Sequence, residues 1–200
     1  MCFTFEYLVA KRNDMHHISN DKRTQRSAAL IWDGMMSCLA DKPFERVTVS
    51  DIQRESGVAR STFYRCFDNI SDVLSWRCEM CFDEVLGSME FERRPNPPAL
   101  ARAFFIGLME HLDILDVLVT ANRFDIIYAC HLSSAEKVRE NLGEVPGLDK
   151  THGRYYMAIR TGVMIGLLTA WLAGGRKETP DELAAIAGEQ VKMLVDGLGS

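Results

Sequence analysis

The sequence predicts an all-α fold, and three observations predict it. Apolar residues recur at three- and four-residue spacing in segment after segment, the pattern of helices that each bury one face. Helix-start chemistry stands ahead of several of those segments, at Thr48, at Asn69 or Ser71, and at Thr179-Pro180. Helix breakers fall between them, at Pro43, at Gly57, in Arg93 to Pro98 with its three prolines, and in Gly143 to Gly147. With 200 residues, 47% apolar and 26% charged, the composition is that of an ordinary globular chain able to bury a core.

Taken in order, residues 1–20 show no usable pattern. They are expected to be a flexible arm without assigned function, or an over-long start with initiation at Met15. The opening Met1 to Val9 lacks a basic start and contains Glu6, so no secretory signal is expected. A first helix is predicted over about 23–40, with Ile31, Met35, Cys38 and Leu39 inward and Lys22, Arg23 and Arg26 at its leading end, within reach of phosphate or a minor groove. The turn from Asp41 to Arg46 ends it.

The stretch from Thr48 to Phe67 is the most informative. Thr48 can cap a helix, with Asp51 three residues on as the acidic half of a capping box. Val49 and Ile52 share one face, Gly57 stands where a chain leaving a helix needs a left-handed residue, and Val58 can fill the corner. In the helix that follows, Phe63 and Phe67 lie at i and i+4 and should anchor it. Arg60, Ser61, Thr62, Tyr64 and Arg65 are then left outside, an acid-free row of donors. A recognition helix in the major groove needs such a row, with Arg for guanine edges and hydroxyls for bases or phosphate. The expected DNA-binding set is therefore Lys22, Arg23, Thr48, Arg60, Ser61, Thr62, Tyr64 and Arg65.

Charge is divided in the same sense. The formal net charge is −5, yet from Lys22 to Arg65 eight basic residues face five acidic ones, whereas from Glu79 to Ser200 twelve face eighteen. The basic part is the part that should meet phosphate.

Residues 22 to 76 resemble the amino-terminal domain of TetR-type (TetR/AcrR family) transcriptional regulators. The resemblance rests on Arg23-Thr24, on the run Lys42-Pro43-Phe44-Glu45-Arg46-Val47-Thr48-Val49-Ser50-Asp51-Ile52, and on Ser61-Thr62-Phe63-Tyr64-Arg65-Cys66-Phe67. Two positions depart from the family pattern, Cys66 where His is frequent and Ile70 where Lys is. The resemblance implies a three-helix DNA-binding domain over 21–76, a linking helix running to about 90, and an effector-binding and dimerisation domain over 91–200. It also implies a cytoplasmic homodimer that reads double-stranded DNA at a palindromic operator. A small molecule would alter the spacing of the two heads, most simply as the release of a repressor. The linking helix is expected from Asn69 or Ser71 to about Met89, with Val73, Leu74, Cys78, Cys81, Val85 and Met89 on one side. Further helices are expected over about 99–119, dividing near Leu112-Asp113, then 122–141, 150–173 and 180–197. The carboxy-terminal half loosely resembles the Firmicutes-type TetR ligand-binding domain. A second reading is a TetR-fold protein that works through protein partners, as co-activator or adaptor, with weak or no operon control.

Tyr155 to Ala173 is the most apolar segment. Arg160 interrupts it, and the uncharged remainder is shorter than the ~20 residues a bilayer requires, so no membrane span is expected. Its small residues Gly162, Gly166 and Ala170, with Leu183, Ala187, Val191 and Leu194 of the last helix, are the expected dimer interface. Phe105, Met109, His111, Tyr128, His131, Tyr155 and Trp171 are the expected lining of an effector pocket.

Of the six cysteines, Cys78 and Cys81 form a C-x-x-C, but with Leu74 and Val85 they also make a helical stripe, which favours a core role. Cys66, on the recognition helix, is the position at which redox sensing would act. The enzyme patterns G-x-S-x-G, H-E-x-x-H, P-loop and Rossmann glycines are missing, and no Glu-x-x-His pair occurs. No catalytic role, cofactor or metal is expected.

Overall fold

The computed structural model describes residues 17–18, 21–88, 97–142 and 150–198. Most of the expected arm, the end of the linking helix with Met89, and the loop through Pro146 lie outside them. Among the described residues nine α-helices and one short 3-10 turn (Phe44–Arg46) occur, and no β-strand. In chain order they are α1 (Lys22–Asp41), α2 (Val49–Ser56), α3 (Arg60–Cys66), α4 (Ile70–Ser88), α5 (Pro97–Met109), α6 (Leu112–Thr120), α7 (Phe124–Leu142), α8 (Lys150–Ala173) and α9 (Pro180–Leu198).

The boundaries follow local chemistry. Asp21 caps α1 by accepting from Thr24 N at 3.3 Å. Asn69 Oδ1 accepts from Asp72 N, while the Asp72 carboxylate takes the backbone N–H groups of Asp68 and Asn69, both at 3.0 Å. At α9 the hydroxyl of Thr179 accepts from Glu182 N and the Glu182 carboxylate accepts from Thr179 N at 2.8 Å, a reciprocal cap with Pro180 in the first turn. Helix α6 closes with Arg123 N bound to Leu118 O and Asn122 N to Val119 O, which places Asn122 at φ 53. That is the paired hydrogen-bond stop of a left-handed C′ residue, with Asn in the place glycine more often takes.

Helices α1, α2 and α3 pack together as a head, and α4 leaves the head to lie against α5, α6 and α7. One continuous apolar cluster runs from Ala28 in α1 through Val73, Leu74, Cys78, Phe82 and Val85 in α4 to Leu183 in α9. Head and body therefore share a core rather than meeting at a hinge between two. Cys78 and Cys81 are both fully buried in it, and burial pushes the Cys81 thiol up to about 12. The C-x-x-C fills space, as its stripe predicted.

Helix α8 lies against α6, α7 and α9 through Met157, Thr161, Ile165, Leu168 and Leu172, all buried. By length and composition alone Tyr155–Ala173 would suffice to cross a membrane. Its inner face is committed to the core, and its outer face is an exposed strip of Tyr155, Ile159, Gly162, Gly166, Ala170 and Ala173.

Candidate nucleic-acid interface

The head is assembled from its caps. Thr48 Oγ1 accepts from Asp51 N at 3.2 Å and donates to Asp51 Oδ2 at 2.6 Å, while Thr48 N donates to the same oxygen at 2.9 Å. Lys42 Nζ sits 2.5 Å from Asp51 Oδ2 and, with the Thr48 bonds, holds that carboxyl far below the usual carboxylate range. In this arrangement the Thr48 hydroxyl donates to Asp51. As the cap stands, the residue starts α2 and is not a free donor to phosphate.

Gly57 ends α2 at φ 67, its N–H bound to Gln53 O at 3.0 Å, and Val58 packs into the corner as predicted. A left-handed residue here lets the chain turn without Cβ strain. How closely α2 approaches α1 is set by a residue the sequence reading passed over. A Cβ added at Gly34 would fall 2.7 Å from Ser56 Cβ and 2.9 Å from Ser56 N, so only glycine allows the two helices this contact. A glycine inside a helical stripe was the available signal.

Helix α3 turns one side inward. Phe63 and Phe67 are buried and lie 5.9 Å apart ring to ring, with Phe67 edge-on to Trp76 of α4. Cys66 joins them at 0% exposure, and burial raises its thiol pKa. The thiolate is the reactive species, so the structure gives Cys66 a core role and argues against redox sensing. Ile70, the other departure from the family pattern, also packs on the core.

The opposite side carries Arg60, Ser61, Tyr64 and Arg65, all exposed, and Thr62, half-buried. Two of these are joined: Arg60 Nη2 donates to Tyr64 OH at 3.2 Å and its guanidinium lies over the Tyr64 ring at 5.2 Å. Lys22, Arg23 and Arg26 are exposed in the first turns of α1, which has no acid there beyond its cap. Cations at a helix N-terminus work against the helix dipole, so these charges do nothing for α1 itself.

In the body the expected effector residues stand on α5, α7 and α8 and at the start of α6. Phe105 is fully buried and Met109 partly so. His111 faces Glu84 with Nε2 3.4 Å from Oε2, Tyr155 is exposed on the outer face of α8, and the Trp171 indole N–H donates to Glu178 O at 3.0 Å, fastening the turn before α9. Tyr128 and His131 share the seam of α7 and α8, where Tyr128 OH reaches Ala158 O at 3.5 Å and His131 Nδ1 lies 3.1 Å from Thr161 Oγ1, while Phe105, Met109 and Trp171 belong to one apolar cluster. The expected dimer stripe also divides. Gly162, Gly166, Ala170 and Val191 face outward, whereas Leu183 and Ala187 are buried inside the subunit, where α9 packs on α5; the Leu194 side chain lies outside the described residues.

This two-helix corner, with aromatics inward and donors outward, defines a helix-turn-helix protein. Residues 31–75 match the family model of the bacterial regulatory proteins of the tetR family. The HTH-type transcriptional regulator YxbF of Bacillus subtilis (strain 168) is 23% identical over 178 residues, covering 82% of this chain and 44% of that protein. The chain thus spans less than half the length of this curated relative. The crystal structure of Lin0861 from Listeria innocua superposes with a TM-score of 0.72 at 18% identity, over 88% of this chain and 94% of that one. Over residues 31–75 the head is thus similar to the DNA-binding domain of the tetR family of bacterial regulatory proteins.

Proposed function

We propose that the chain is a sequence-specific DNA-binding transcriptional regulator, a repressor that a small-molecule effector releases. The observation that carries this is the division of α3: Phe63, Cys66 and Phe67 are buried while Arg60, Ser61, Tyr64 and Arg65 stand outside with no acid among them. Lys22 and Arg23 extend the same cationic surface. Thr62 is a flank of it, and Thr48 supports it by starting α2.

Two heads are required, because one recognition helix touches few bases and a two-fold pair reads a palindrome. We assign the pairing surface to the outer strip of α8, where a Cβ at Gly162 or Gly166 would meet nothing within the subunit, together with Val191 of α9. Small residues there allow a second copy's helix to approach closely. Residues 21–76 serve as the reading head and 91–200 as the effector and pairing body, and a cytoplasmic location goes with that role.

For the effector, the α7–α8 seam is favoured. Tyr128 and His131 meet there, and Ser134 on the same helix has a buried hydroxyl with no hydrogen-bond partner among the described residues. His131 is held neutral, so it offers an uncharged imidazole to a ligand.

The test is selection of genomic fragments by the purified full chain, with sedimentation of the free protein alongside. Expected are a dimer, recovery of palindromic fragments, and affinity that falls steeply with salt. Arg60→Ala and Arg65→Ala should each weaken binding by ~1–3 kcal/mol and relax preference at one position. No preference over random duplex would overturn the proposal, and enrichment of proteins in place of DNA would favour the adaptor reading.

A further inference from the structure

The turn between α6 and α7 reaches back to the head. The left-handed Asn122 reverses the chain so that the next side chain, Arg123, points at the first turn of α4. Its Nε and Nη2 each donate to one oxygen of Asp125 at 2.9 Å, and its remaining Nη1 donates to Ser71 Oγ at 2.7 Å, across 52 residues of sequence. The side chain is only about a quarter exposed. The paired carboxylate raises the Arg123 pKa and depresses that of Asp125, as expected of a bidentate ion pair.

Ser71 lies just past the link that leaves the recognition helix. Phe67 is the last buried anchor of α3, and the backbone of Asp68 and Asn69 is tied to the buried Asp72 carboxylate. The Asp72 charge also acts on Arg123. The link from 67 to 72 is thus gripped from within by Asp72 and from the body by Arg123. Asp125 fixes two arms of the guanidinium, which leaves the third in one orientation; a lysine ammonium offers no such fork.

We propose that Arg123 is a positioning residue for DNA reading: through Ser71 it sets the angle of α3 against the body, and with it the half-site separation that the paired protein accepts, without touching DNA. This rests on the DNA-binding, dimeric reading above.

The experiment uses the full chain with Ser71→Ala, Arg123→Gln and Arg123→Lys. Ser71→Ala removes the acceptor at nearly constant volume and leaves the Arg123–Asp125 pair intact. Binding is measured to operators recovered with the unaltered chain, their half-sites moved apart or together in single base-pair steps. The unaltered chain should favour one separation. Each variant should flatten that preference about threefold to thirtyfold, the range typical of mutations that alter coupling between sites. Hydrogen exchange of the DNA-free protein should quicken over residues 60–72 and stay constant in α8. A merely structural role would lower affinity equally at every separation, and that result overturns the proposal. So does an unchanged separation profile in Ser71→Ala and Arg123→Gln. Failure of the unaltered chain to select any operator would instead bring down the DNA-binding reading, and this inference with it.

Discussion

Acidification should destabilise this protein through one buried imidazole. His131 is 5% exposed, set edge-on to the rings of Phe82 and Phe104 at 5.7 and 5.1 Å. Burial, and secondarily the charge of Arg160, pulls its pKa from 6.5 down to about 3. The folded state therefore keeps the imidazole neutral where the unfolded chain takes up a proton, so stability is lost as pH falls below the unfolded value. The slope is at most ~1.4 kcal/mol per pH unit, and integrating from pH 7 to pH 5 gives a loss of about 2 kcal/mol. The depressed carboxyls of Asp51, Asp125 and Glu182 act at lower pH, because their contribution fades only as pH drops below the ordinary carboxylate range. Urea unfolding followed by circular dichroism at pH 7, 6 and 5 measures the effect, with His131→Gln as the non-titrating reference. Subtracting one curve from the other isolates this residue. If both proteins lose stability in parallel over that window, the imidazole is hydrated or charged in the folded state and the reasoning fails.

Three further outcomes are expected. Gly34→Ala should destabilise the fold by ~1–3 kcal/mol, since overpacking must push α2 from α1; the urea midpoint reports it, and an unchanged midpoint would mean the two helices do not meet as described. Thr48→Ala should cost about 1 kcal/mol by opening the cap, seen as a lower Tm, with DNA affinity falling only as far as folding does. Tyr64→Phe removes the oxygen that accepts from Arg60 and should blur base preference where Arg60 reads. Titration against single-substituted operators separates this from a phosphate contact, which would weaken every operator equally.

Features governed by neighbours in sequence were legible. Helix α8 was expected over 150–173 and runs Lys150–Ala173, and α9 begins at Pro180 behind its Thr179 cap, because capping is settled within four residues. The i, i+4 pair Phe63 and Phe67 announced which side of α3 is buried. Periodicity says that a face is apolar and leaves open which neighbour covers it. The stripe Leu183–Ala187 was expected to face a second copy and instead packs inside the subunit, where α9 meets α5. Aromatics at helical spacing likewise serve any core, as Phe105 and Trp171 do. Gly34 and Arg123 owe their roles to partners fixed by packing, Ser56 and Ser71. For the two long-range pairs no window of sequence brings the partners together.

The placement of the polar contacts bears on how a body could govern a head at all. The apolar cluster is continuous through α4, so it resists separation of head and body, while dispersion contacts carry little direction. Direction comes from the hydrogen bonds and ion pairs along α4. At its start stands Arg123 on Ser71; further along, Arg77 lies 5.9 Å from the Trp32 ring centre of α1 while reaching Asp113 of α6 at 3.5 Å. Both struts draw on α6 or the turn that follows it. A ligand that shifted α7 at His131 would act on Arg123, at the same helix's opening, as well as on α8 through Thr161. On the proposed reading, the Arg123 link carries such a shift to the recognition helix, while the outer strip of α8 lies on the side away from the seam. Ligand should therefore weaken operator binding without dissociating the dimer; sedimentation showing monomers on ligand addition would point to control by disassembly instead.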